Sequence, residues 1–391
     1  MRYFSAQYIF TNTGAPLKRG IITTDDEGLI LNIEDTGGRL EEKQSVEFYN
    51  GVIIPGMVNC HCHLELSHLY GKTVEKEGLG NFIEQVRTLR TGDDAEIMKR
   101  AQDADFKMAQ DGIVLCADIC NTDNTFSIKA NSRIKYINLL EVFGTDPARA
   151  DKRIEEALDL TVKSENCNIP YYIVPHALYS VSLTLLRKIR SHSHNNKVTS
   201  IHFMESEAER ELLENHSGPI SESYIRSGLM PSVPEMAERH STAILEEITP
   251  SGNLILVHNT SIDPETLKTV KKRKNIFFCL CPGSNLYIEN RLPPVKLFTD
   301  TGSAITMGTD SLASNNTLSM IQEIRILQEH FPFVTLEDLV RWTSLNGAVA
   351  LGEQSLYGSV QAGKKPGLVL LENLNIKELK LTPSTTSKRL I

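Results

Sequence analysis

The sequence predicts an α/β protein in which a (β/α)8 barrel carries a small composite β-sandwich built from both chain ends. Three observations support this fold class. Eight apolar, strand-like runs follow one another, helix-like stretches lie between them, and short strand-like runs with turn residues occur at both ends. Alternating strands and helices indicate parallel pairing through right-handed crossovers, and eight such units favour a closed barrel over an open sheet.

Breaker residues separate the eight strand-like runs. In chain order the runs are GVIIPGMVNCH, GIVLCADI, IKYINLLEVF, YYIVPHAL, VTSIHFME, NLILVHNT, NIFFCLCP and SAITMGTD. A helix is predicted over residues 93–112, which begin with acidic residues, repeat apolar residues at helical spacing and end at a glycine. We expect the barrel domain to occupy residues 54–354.

Both chain ends read as small β-structures. The runs YIFTNTG, GIITTDD and LILNIED precede Gly51, and GKKPGLVLLENL near the other end reads as a turn followed by one apolar strand. We therefore expect residues 1–53 and 355–391 to meet in one β-sandwich beside the barrel. The last dozen residues, which include TPSTTSKRLI, are expected to be weakly ordered.

Charge and composition exclude several classes of function. The formal net charge of -8 and the pI near 5.8 leave no sustained basic surface for nucleic acid. The one dense basic run, KKRK, follows a helix-like segment and reads as a solvated helix C-terminus. The first residues lack a signal-peptide pattern, and no apolar run approaches the roughly 18 residues of a membrane span. A cytoplasmic protein that acts on a small molecule is expected.

The cysteines predict packing rather than chemistry. Seven cysteines, an odd number in a large chain without an export signal, indicate reduced thiols. Cys60 and Cys62 flank His61, and their CxC spacing matches no common zinc pattern. They are interpreted as small buried side chains, with a thiol or redox site as the alternative.

Histidines cluster where a barrel places its chemistry, at the carboxyl ends of strand-like runs. His61 and His63 alternate on the first run, so they share one face and can capture a single ion. The alternative, a solvated polar strand, is disfavoured by the apolar residues 52–58. Imidazole and carboxylate ligands together suit zinc or ferrous iron. The residues at strand ends are His61, His63, His176, His202, His258 and Asp310.

One carboxylate accompanies these ligands. Glu205 follows His202 by three residues in HFME, so it would lie in the loop above the strand and reach a molecule held over the metal. An ordinary surface carboxylate is the alternative, and its position beside a candidate ligand favours the functional interpretation.

These motifs together resemble the amidohydrolase superfamily, and within it the ATZ/TRZ aminohydrolase and chlorohydrolase branch. The resemblance covers nearly the whole chain and departs from the common pattern at Lys365, Pro366 and Gly367, far from the motifs. It rests on PGMVNCHCHLE, PHALYSVS, HFME, VHNT, CPGSN, MGTDSLASNN and TSLNGAVALG.

The resemblance implies one divalent metal, with zinc expected first and iron(II) as the alternative. The ligands would be His61, His63, His202 and Asp310. The fourth strand-like run, YYIVPHAL, has no lysine where two-metal members carry a carboxylated one, so a single metal is expected. His258 would orient the hydrolytic water, Asp310 would accept its proton, and Glu205 would protonate a ring nitrogen. A hydrolase releasing ammonia from an aminated N-heterocycle follows, and the resemblance allows a homodimer.

The substrate is suggested by a shorter motif. HCHLELS resembles the HxHxE(L/F)S segment of deaminases acting on aminodeoxyfutalosine, a 6-aminopurine nucleoside derivative. Glu65 would accept hydrogen bonds from ribose or purine, or alternatively would orient a backbone group or an arginine. Arg87 and Arg90 would meet a distal carboxylate of the substrate. The remaining substrate-binding candidates are His176 and Asn285.

Several other functions would use nearly the same metal ligands. They are deamination of guanine or cytosine, chloride displacement and opening of a cyclic amide, and Glu205 favours deamination among them. An inactive binding scaffold should have lost at least one site residue, whereas all of His61, His63, His202, Glu205, His258 and Asp310 are present.

Overall fold

Both chain ends build one β-sheet. The computed structural model describes residues 1–39, 45–229, 245, 247, 248 and 252–391. Strands β14 and β15 from the C-terminal end join the N-terminal strands in a seven-stranded sheet of order β15-β14-β5-β1-β3-β4, with β2 paired to β1. The composite β-structure predicted for the two ends is confirmed. Its strands are β1 (Arg2–Ile9), β2 (Leu17–Lys18), β3 (Ile21–Thr24), β4 (Ile30–Glu34), β5 (Val46–Pro55), β14 (Leu368–Glu372) and β15 (Thr386–Arg389).

Eight parallel strands form the centre of the molecule. They pair as two four-stranded sheets, β6-β7-β8-β9 and β10-β11-β12-β13. Parallel bridges between Ala177 and His202 and between Cys62 and Asp310 join these sheets at both seams, as the barrel prediction requires. The strands are β6 (Met57–Cys62), β7 (Ile113–Cys120), β8 (Lys135–Val142), β9 (Tyr171–Pro175), β10 (Val198–Phe203), β11 (Asn253–His258), β12 (Ile276–Leu280) and β13 (Ile305–Met307).

Helices alternate with the barrel strands. The Asp93 side chain caps α2 by accepting from the Ala95 N–H, and Gly112, with φ of 103°, ends it, as the sequence predicts for residues 93–112. No described helix is long and apolar enough to cross a bilayer. The described helices are α1 (Gly78–Leu89), α2 (Asp94–Asp111), α3 (Phe126–Ala130), α4 (Ala150–Asn166), α5 (Leu183–Ser193), α6 (Glu207–Asn215), α7 (Pro219–Arg226), α8 (Pro264–Val270), α9 (Pro282–Glu289), α10 (Val295–Asp300), α11 (Met320–His330), α12 (Leu336–Thr343) and α13 (Leu345–Ala350), with 3₁₀ helices at Leu64–Leu69, Pro147–Arg149 and Leu178–Ser180.

The run GVIIPGMVNCH, predicted as one strand, is divided between the two parts of the fold. Strand β5 pairs with β1 and β14, whereas β6 pairs with β7. The division falls at Gly56, where a Cβ would lie 2.4 Å from the carbonyl oxygen of Pro366 and 2.5 Å from Val114 Cγ1. Glycine therefore permits this close approach. The domain boundaries at residues 54 and 354 remain a prediction.

The C-terminal residues form a strand, and the expectation that they are weakly ordered is wrong. Strand β15 pairs antiparallel with β14 along four residues, Thr386–Arg389. Arg389 Nη1 also donates to the carbonyl oxygens of Arg133 at 3.0 Å and Ile113 at 3.4 Å. The sequence concealed this strand because it lies at the sheet edge and carries no apolar run.

Candidate active site

Strand β6 delivers two imidazole rings to one point. His61 is the fifth residue of this fully buried strand and His63 follows its end. Their Nε2 atoms are 3.2 Å apart, and each lies 3.4 Å from Asp310 Oδ1. The prediction that the two histidines share a face is confirmed.

Asp310 is held so that one carboxylate oxygen faces the histidines. Its Oδ2 accepts hydrogen bonds from the hydroxyls of Ser284 and Ser314, which leaves Oδ1 toward the imidazoles. Its backbone φ is +56°, an uncommon conformation just after β13. Burial raises the pKa of Asp310, but hydrogen bonding to His61 and the nearby imidazoles outweigh burial, and the pKa lies well below its usual value. The group is therefore an anion in the folded protein.

The histidines from the opposite sheet complete the cluster. His202 Nδ1 lies 2.8 Å from the carbonyl oxygen of His176, which fixes Nδ1 as the donor and leaves a lone pair on Nε2. The ring centroids of His61 and His202 are 4.7 Å apart. Burial lowers the pKa values of His63, His202 and His258 well below their usual value. Neutral imidazole, the form that binds metal, is therefore favoured.

The donor set fits a single divalent cation. Of the four groups of potential ligands among the described residues, two share His61, and within each group the ligand atoms lie within 4.8 Å of one another. One of these two adds His63 and Asp310, and the other adds His202 and His258. His61 Nδ1 and His258 Nε2 are buried and have no hydrogen-bond partner among the described residues. Buried imidazoles cannot satisfy all of their hydrogen-bonding nitrogens with one another, which is unfavourable. Imidazole and carboxylate ligands together suit zinc or ferrous iron.

His258 differs from the other histidines in its second nitrogen. Asn285 Nδ2 lies 3.1 Å from His258 Nδ1, so the amide donates and the neutral ring carries its proton on Nε2. That Nε2 lies 3.6 Å from Glu205 Oε1. A ring with N–H at this position can hold a water molecule by donating to its oxygen, the role predicted for His258.

Glu205 lies in the turn after β10 and is buried beside His258. The hydroxyl of Tyr179 donates to its Oε2 at 3.5 Å. Burial raises the pKa of Glu205 well above its usual value, and the charges of Asp310 and Glu209 raise it further. A carboxyl group whose pKa is raised holds its proton to a higher pH, which suits it to act as a general acid.

A cavity of about 370 Å³ adjoins this cluster, within the range of roughly 300–1,000 Å³ typical of small-molecule sites. Helix α1 contributes an apolar wall that includes Leu79, Phe82 and Val86. Four guanidinium groups also line the cavity, those of Arg87, Arg90, Arg149 and Arg153. The first two were predicted, whereas the last two were missed. Their position just beyond β8 is the signal that could have found them.

Two predicted substrate-binding residues face other protein groups. Glu65 Oε2 accepts from the backbone N–H of Asn121 at 3.1 Å and of Thr122 at 3.0 Å, while its Oε1 pairs with Arg90 Nη2 at 3.2 Å. Asn285 contacts His258 and is not among the residues that line the cavity. Neither Glu65 nor Asn285 is among the residues that line the cavity. Each instead contacts a residue that does, Glu65 through Arg90 and Asn285 through His258.

His176 does line the cavity, as predicted. Its Nδ1 lies 2.6 Å from Ser180 Oγ. Burial, together with the charges of His61 and Arg90, lowers the pKa of His176 to about 4, so the ring is neutral at neutral pH. Glu141, missed by the sequence reasoning, also lines the cavity, with Oε1 at 3.6 Å from His202 Nδ1.

A barrel that presents histidines and an aspartate at its strand ends defines a metal-dependent hydrolase. The chain matches the model of the amidohydrolase family over residues 52–388, and it belongs to that family. The superfamily resemblance of the sequence is confirmed.

Relatives of this chain include named deaminases. A 5-methylthioadenosine/S-adenosylhomocysteine deaminase of Thermococcus kodakarensis is 26% identical over 317 residues, which cover 77% of this chain and 69% of the relative. An adenosine deaminase of Helicobacter pylori is 25% identical over 340 residues, which cover 82% of this chain and 79% of the relative.

Solved structures share the fold. Helicobacter pylori aminofutalosine deaminase in complex with methylthio-coformycin superposes with a TM-score of 0.83 at 20% identity, covering the whole of both chains. Atrazine chlorohydrolase from Arthrobacter aurescens, complexed with zinc, gives a TM-score of 0.72 at 15% identity, covering 94% of this chain and 86% of the other.

Proposed function

We propose that this chain is a metal-dependent hydrolytic deaminase that acts on 6-aminopurine nucleoside derivatives. The observation that carries the proposal is Glu205, a buried carboxyl group with a raised pKa beside a cluster of potential metal ligands. Ring-nitrogen protonation is the step that such an acid serves, and displacement of an amino group from a purine requires it. The names of the deaminases similar to this chain support the same substrate class.

The proposed metal is a single zinc ion held by His61, His63, His202 and Asp310. The four residues combine three imidazoles with one carboxylate, and a zinc-bound solved neighbour supports this choice over iron. When bound, the metal supplies the Lewis acidity that activates water near neutral pH.

The protein groups carry the protons. Asp310 takes the proton released by the attacking water, and the His258 Nε2–H holds the oxygen as it approaches the purine carbon. Glu205 gives its proton to the adjacent ring nitrogen, so that negative charge does not accumulate on the ring. Asp310 then gives its proton to the amino group, the C–N bond breaks as ammonia leaves, and the proton of the added hydroxyl returns to Glu205. Water and the aminopurine are thereby converted to the oxopurine and ammonia.

The cavity favours a nucleoside with an acidic 5′ group, and we propose aminodeoxyfutalosine or a relative such as adenosylhomocysteine. The apolar wall of α1 suits the body of such a group, and Arg87 and Arg90 suit its carboxylate. Glu65 contributes by holding Arg90 through the pair at 3.2 Å. Methylthioadenosine, which lacks a carboxylate, is expected to bind less tightly.

An ammonia-release screen tests this function. Metal-loaded protein is incubated with 5′-substituted adenosines, adenosine, guanine, cytosine and an aminotriazine, and chloride release from a chlorotriazine is followed in parallel. The proposal predicts the fastest release from a 5′-substituted adenosine. Brisk release from guanine or cytosine, with none from any adenosine derivative, would contradict it.

A pair of substrates, one with a carboxylate and one without, tests the proposed contact between Arg87 and the substrate carboxylate. Hydrogen bonds to charged groups contribute about 1.5–3 kcal/mol, or roughly 10–100-fold in binding. Arg87→Gln is therefore expected to raise KM about tenfold or more for a carboxylate-bearing substrate and to leave KM for methylthioadenosine unchanged. Arg100→Gln, an exposed arginine on α2, is the matched control. Equal effects on both substrates would argue against a carboxylate contact.

A cytoplasmic location and a homodimer complete the proposal. Light scattering of the purified protein measures the assembly directly, and a monomeric mass at micromolar concentration would contradict the dimer.

A further inference from the structure

A second buried carboxyl group lies next to the proposed acid. Glu209, in the first turn of α6, is fully buried, and its Oε2 accepts the backbone N–H of Glu205 at 2.8 Å. Its Oε1 is buried and has no hydrogen-bond partner among the described residues. Burial raises the pKa of Glu209 more than the backbone N–H groups of Glu205 and Met204 lower it, and the pKa lies at about 7. Burying a carboxyl group that has one unpaired oxygen is unfavourable. The presence of Glu209 beneath the Glu205 turn therefore requires an explanation.

The turn that carries Glu205 has an uncommon backbone conformation. Met204 has a φ of +49°, in the left-handed region that non-glycine residues seldom adopt. The Met204 carbonyl oxygen accepts from the backbone N–H of Ser261 at 2.9 Å and from its hydroxyl at 3.0 Å. Ser261 thus binds the carbonyl group of Met204 in this turn, and Glu209 binds the N–H group of Glu205.

We propose that Glu209 is a positioning residue, whose carboxyl group fixes the Met204–Glu205 turn and thereby places the Glu205 side chain for proton transfer. The inference rests on the proposed function. Proton transfer requires close heavy-atom contact between acid and acceptor, and a misplacement of about 1 Å can reduce a rate by roughly 10²-fold. Removal of the Glu209 acceptor leaves the Glu205 N–H buried without its present partner, and the turn is expected to shift.

Three variants separate this role from a general effect on folding. Glu209→Leu removes the acceptor, whereas Glu209→Gln keeps a neutral oxygen that can accept the same N–H. Glu214→Gln, an exposed residue of the same helix, is the matched control. For each variant, kcat, KM, metal content and the unfolding midpoint are measured with the substrate that the wild-type protein deaminates best.

Glu209→Leu is expected to reduce kcat by about 10²-fold with little change in KM or metal content. Glu209→Gln is expected to restore most of kcat, and Glu214→Gln to match the wild type. If Glu209→Leu does not yield folded protein, Ser261→Ala tests the same turn from its carbonyl side, and it is expected to lower kcat at constant KM.

Two results would overturn the positioning role. One is wild-type kcat in folded Glu209→Leu or, in its place, in Ser261→Ala. The other is an equal loss in Glu209→Gln and Glu209→Leu, which would assign the effect to charge rather than to the hydrogen-bond acceptor. A wild-type protein that releases no ammonia from any adenosine derivative would instead defeat the proposed function.

Discussion

Two buried polar clusters lie close together in this molecule. They differ in how many of their polar atoms have a hydrogen-bond or ion-pair partner. The salt-bridge cluster consists of Asp118, Cys120, Lys129 and Asn138. The strand-end cluster consists of His61, His63, His202, Glu205, His258 and Asp310. They are linked through the Leu64 N–H, directly after His63, which donates to Asp118 Oδ1 at 2.8 Å.

The salt-bridge cluster pairs its own charges. Lys129 Nζ contacts the Asp118 carboxylate and donates to Cys120 Sγ and Asn138 Oδ1, each at 3.0 Å. Burial lowers the pKa of Lys129, but the charges of Asp118 and Cys120 and the hydrogen bonds to both together outweigh burial and raise it, so the lysine stays charged. No polar side-chain atom of this cluster is left without a partner in the described part of the chain.

The strand-end cluster leaves atoms unpaired. His61 Nδ1 and His258 Nε2 lack partners among the residues that the structure describes. Burial lowers the pKa values of His202 and His258, which favours their neutral form. Burying such groups is unfavourable unless a ligand completes them. A buried polar cluster whose atoms all have partners stabilises the fold, whereas unpaired atoms that adjoin a cavity are available to a ligand.

The largest expected effect separates catalysis from folding. Glu205→Gln keeps the shape of the side chain and removes its proton, so kcat should fall by about 10²–10⁴-fold or more. Metal content and unfolding midpoint should match the wild type. Steady-state ammonia release and elemental analysis check both, and wild-type turnover would end the role given to Glu205.

The opposite behaviour is expected in the salt-bridge cluster. Lys129→Met leaves Asp118 buried without its cation, and breaking one side of a buried pair is destabilising by about 3–5 kcal/mol. Denaturant unfolding measures this loss, and kcat per metal-loaded, folded molecule should change far less than in Glu205→Gln. The double variant with Asp118→Asn is the control, because it removes both charges and should recover part of the stability. Unchanged stability of the single variant would break the comparison.

A pH-dependent effect concerns a carboxyl group that is buried and hydrogen-bonded but has no cationic partner among the described residues. Glu323 accepts from Gly283 N–H and Asn315 Nδ2, both at 2.7 Å, and burial raises its pKa to about 8 from a usual value of 4.5. Between about pH 4.5 and 8, the Glu323 carboxyl group is therefore protonated in the folded state and ionised in the unfolded state. Stability contributed by this group is complete below about 4.5 and is lost as the pH rises to about 8, by up to about 1.4 kcal/mol per pH unit.

Glu323→Gln should flatten this pH dependence. Unfolding free energies measured from pH 5 to 8 provide the check, with the exposed Glu337→Gln as control. An unchanged slope in Glu323→Gln would show that the carboxyl group is not protonated in the folded state.

The smallest expected effect concerns the cysteines beside the proposed metal ligands. Cys60 and Cys62 are fully buried, and burial raises the pKa of Cys60 well above its usual value. A thiol reagent should therefore label only the half-buried Cys167 in native protein, with or without a chelator. New labelling of Cys60 or Cys62 on chelation would favour the alternative thiol site.

The sequence predicts the barrel and the strand-end histidines because both follow from local pattern. Apolar runs locate strands, and the carboxyl end of each strand is visible in the order of residues, so His61, His202 and Asp310 could be placed together. The roles of Glu65 and Asn285 could not be predicted in the same way. Their partners, Asn121 and His258, come from distant segments that only the folded chain brings near.

Other features were missed because no motif marks them in the sequence. Arg149 and Arg153 line the cavity from a segment without a motif, and Glu209 differs from a surface carboxylate only by its burial. Strand β15 has polar residues along a sheet edge, so its alternation could not be separated from a loop.

A metal titration is the most direct test that the strand-end cluster binds one metal ion. Chelated, folded protein receives zinc in steps, and ammonia release from a 5′-substituted adenosine is followed alongside bound metal. Activity is expected to rise from zero and to level off at one equivalent per chain. Full activity without metal, or activity that needs two equivalents, would contradict a single metal held by His61, His63, His202 and Asp310.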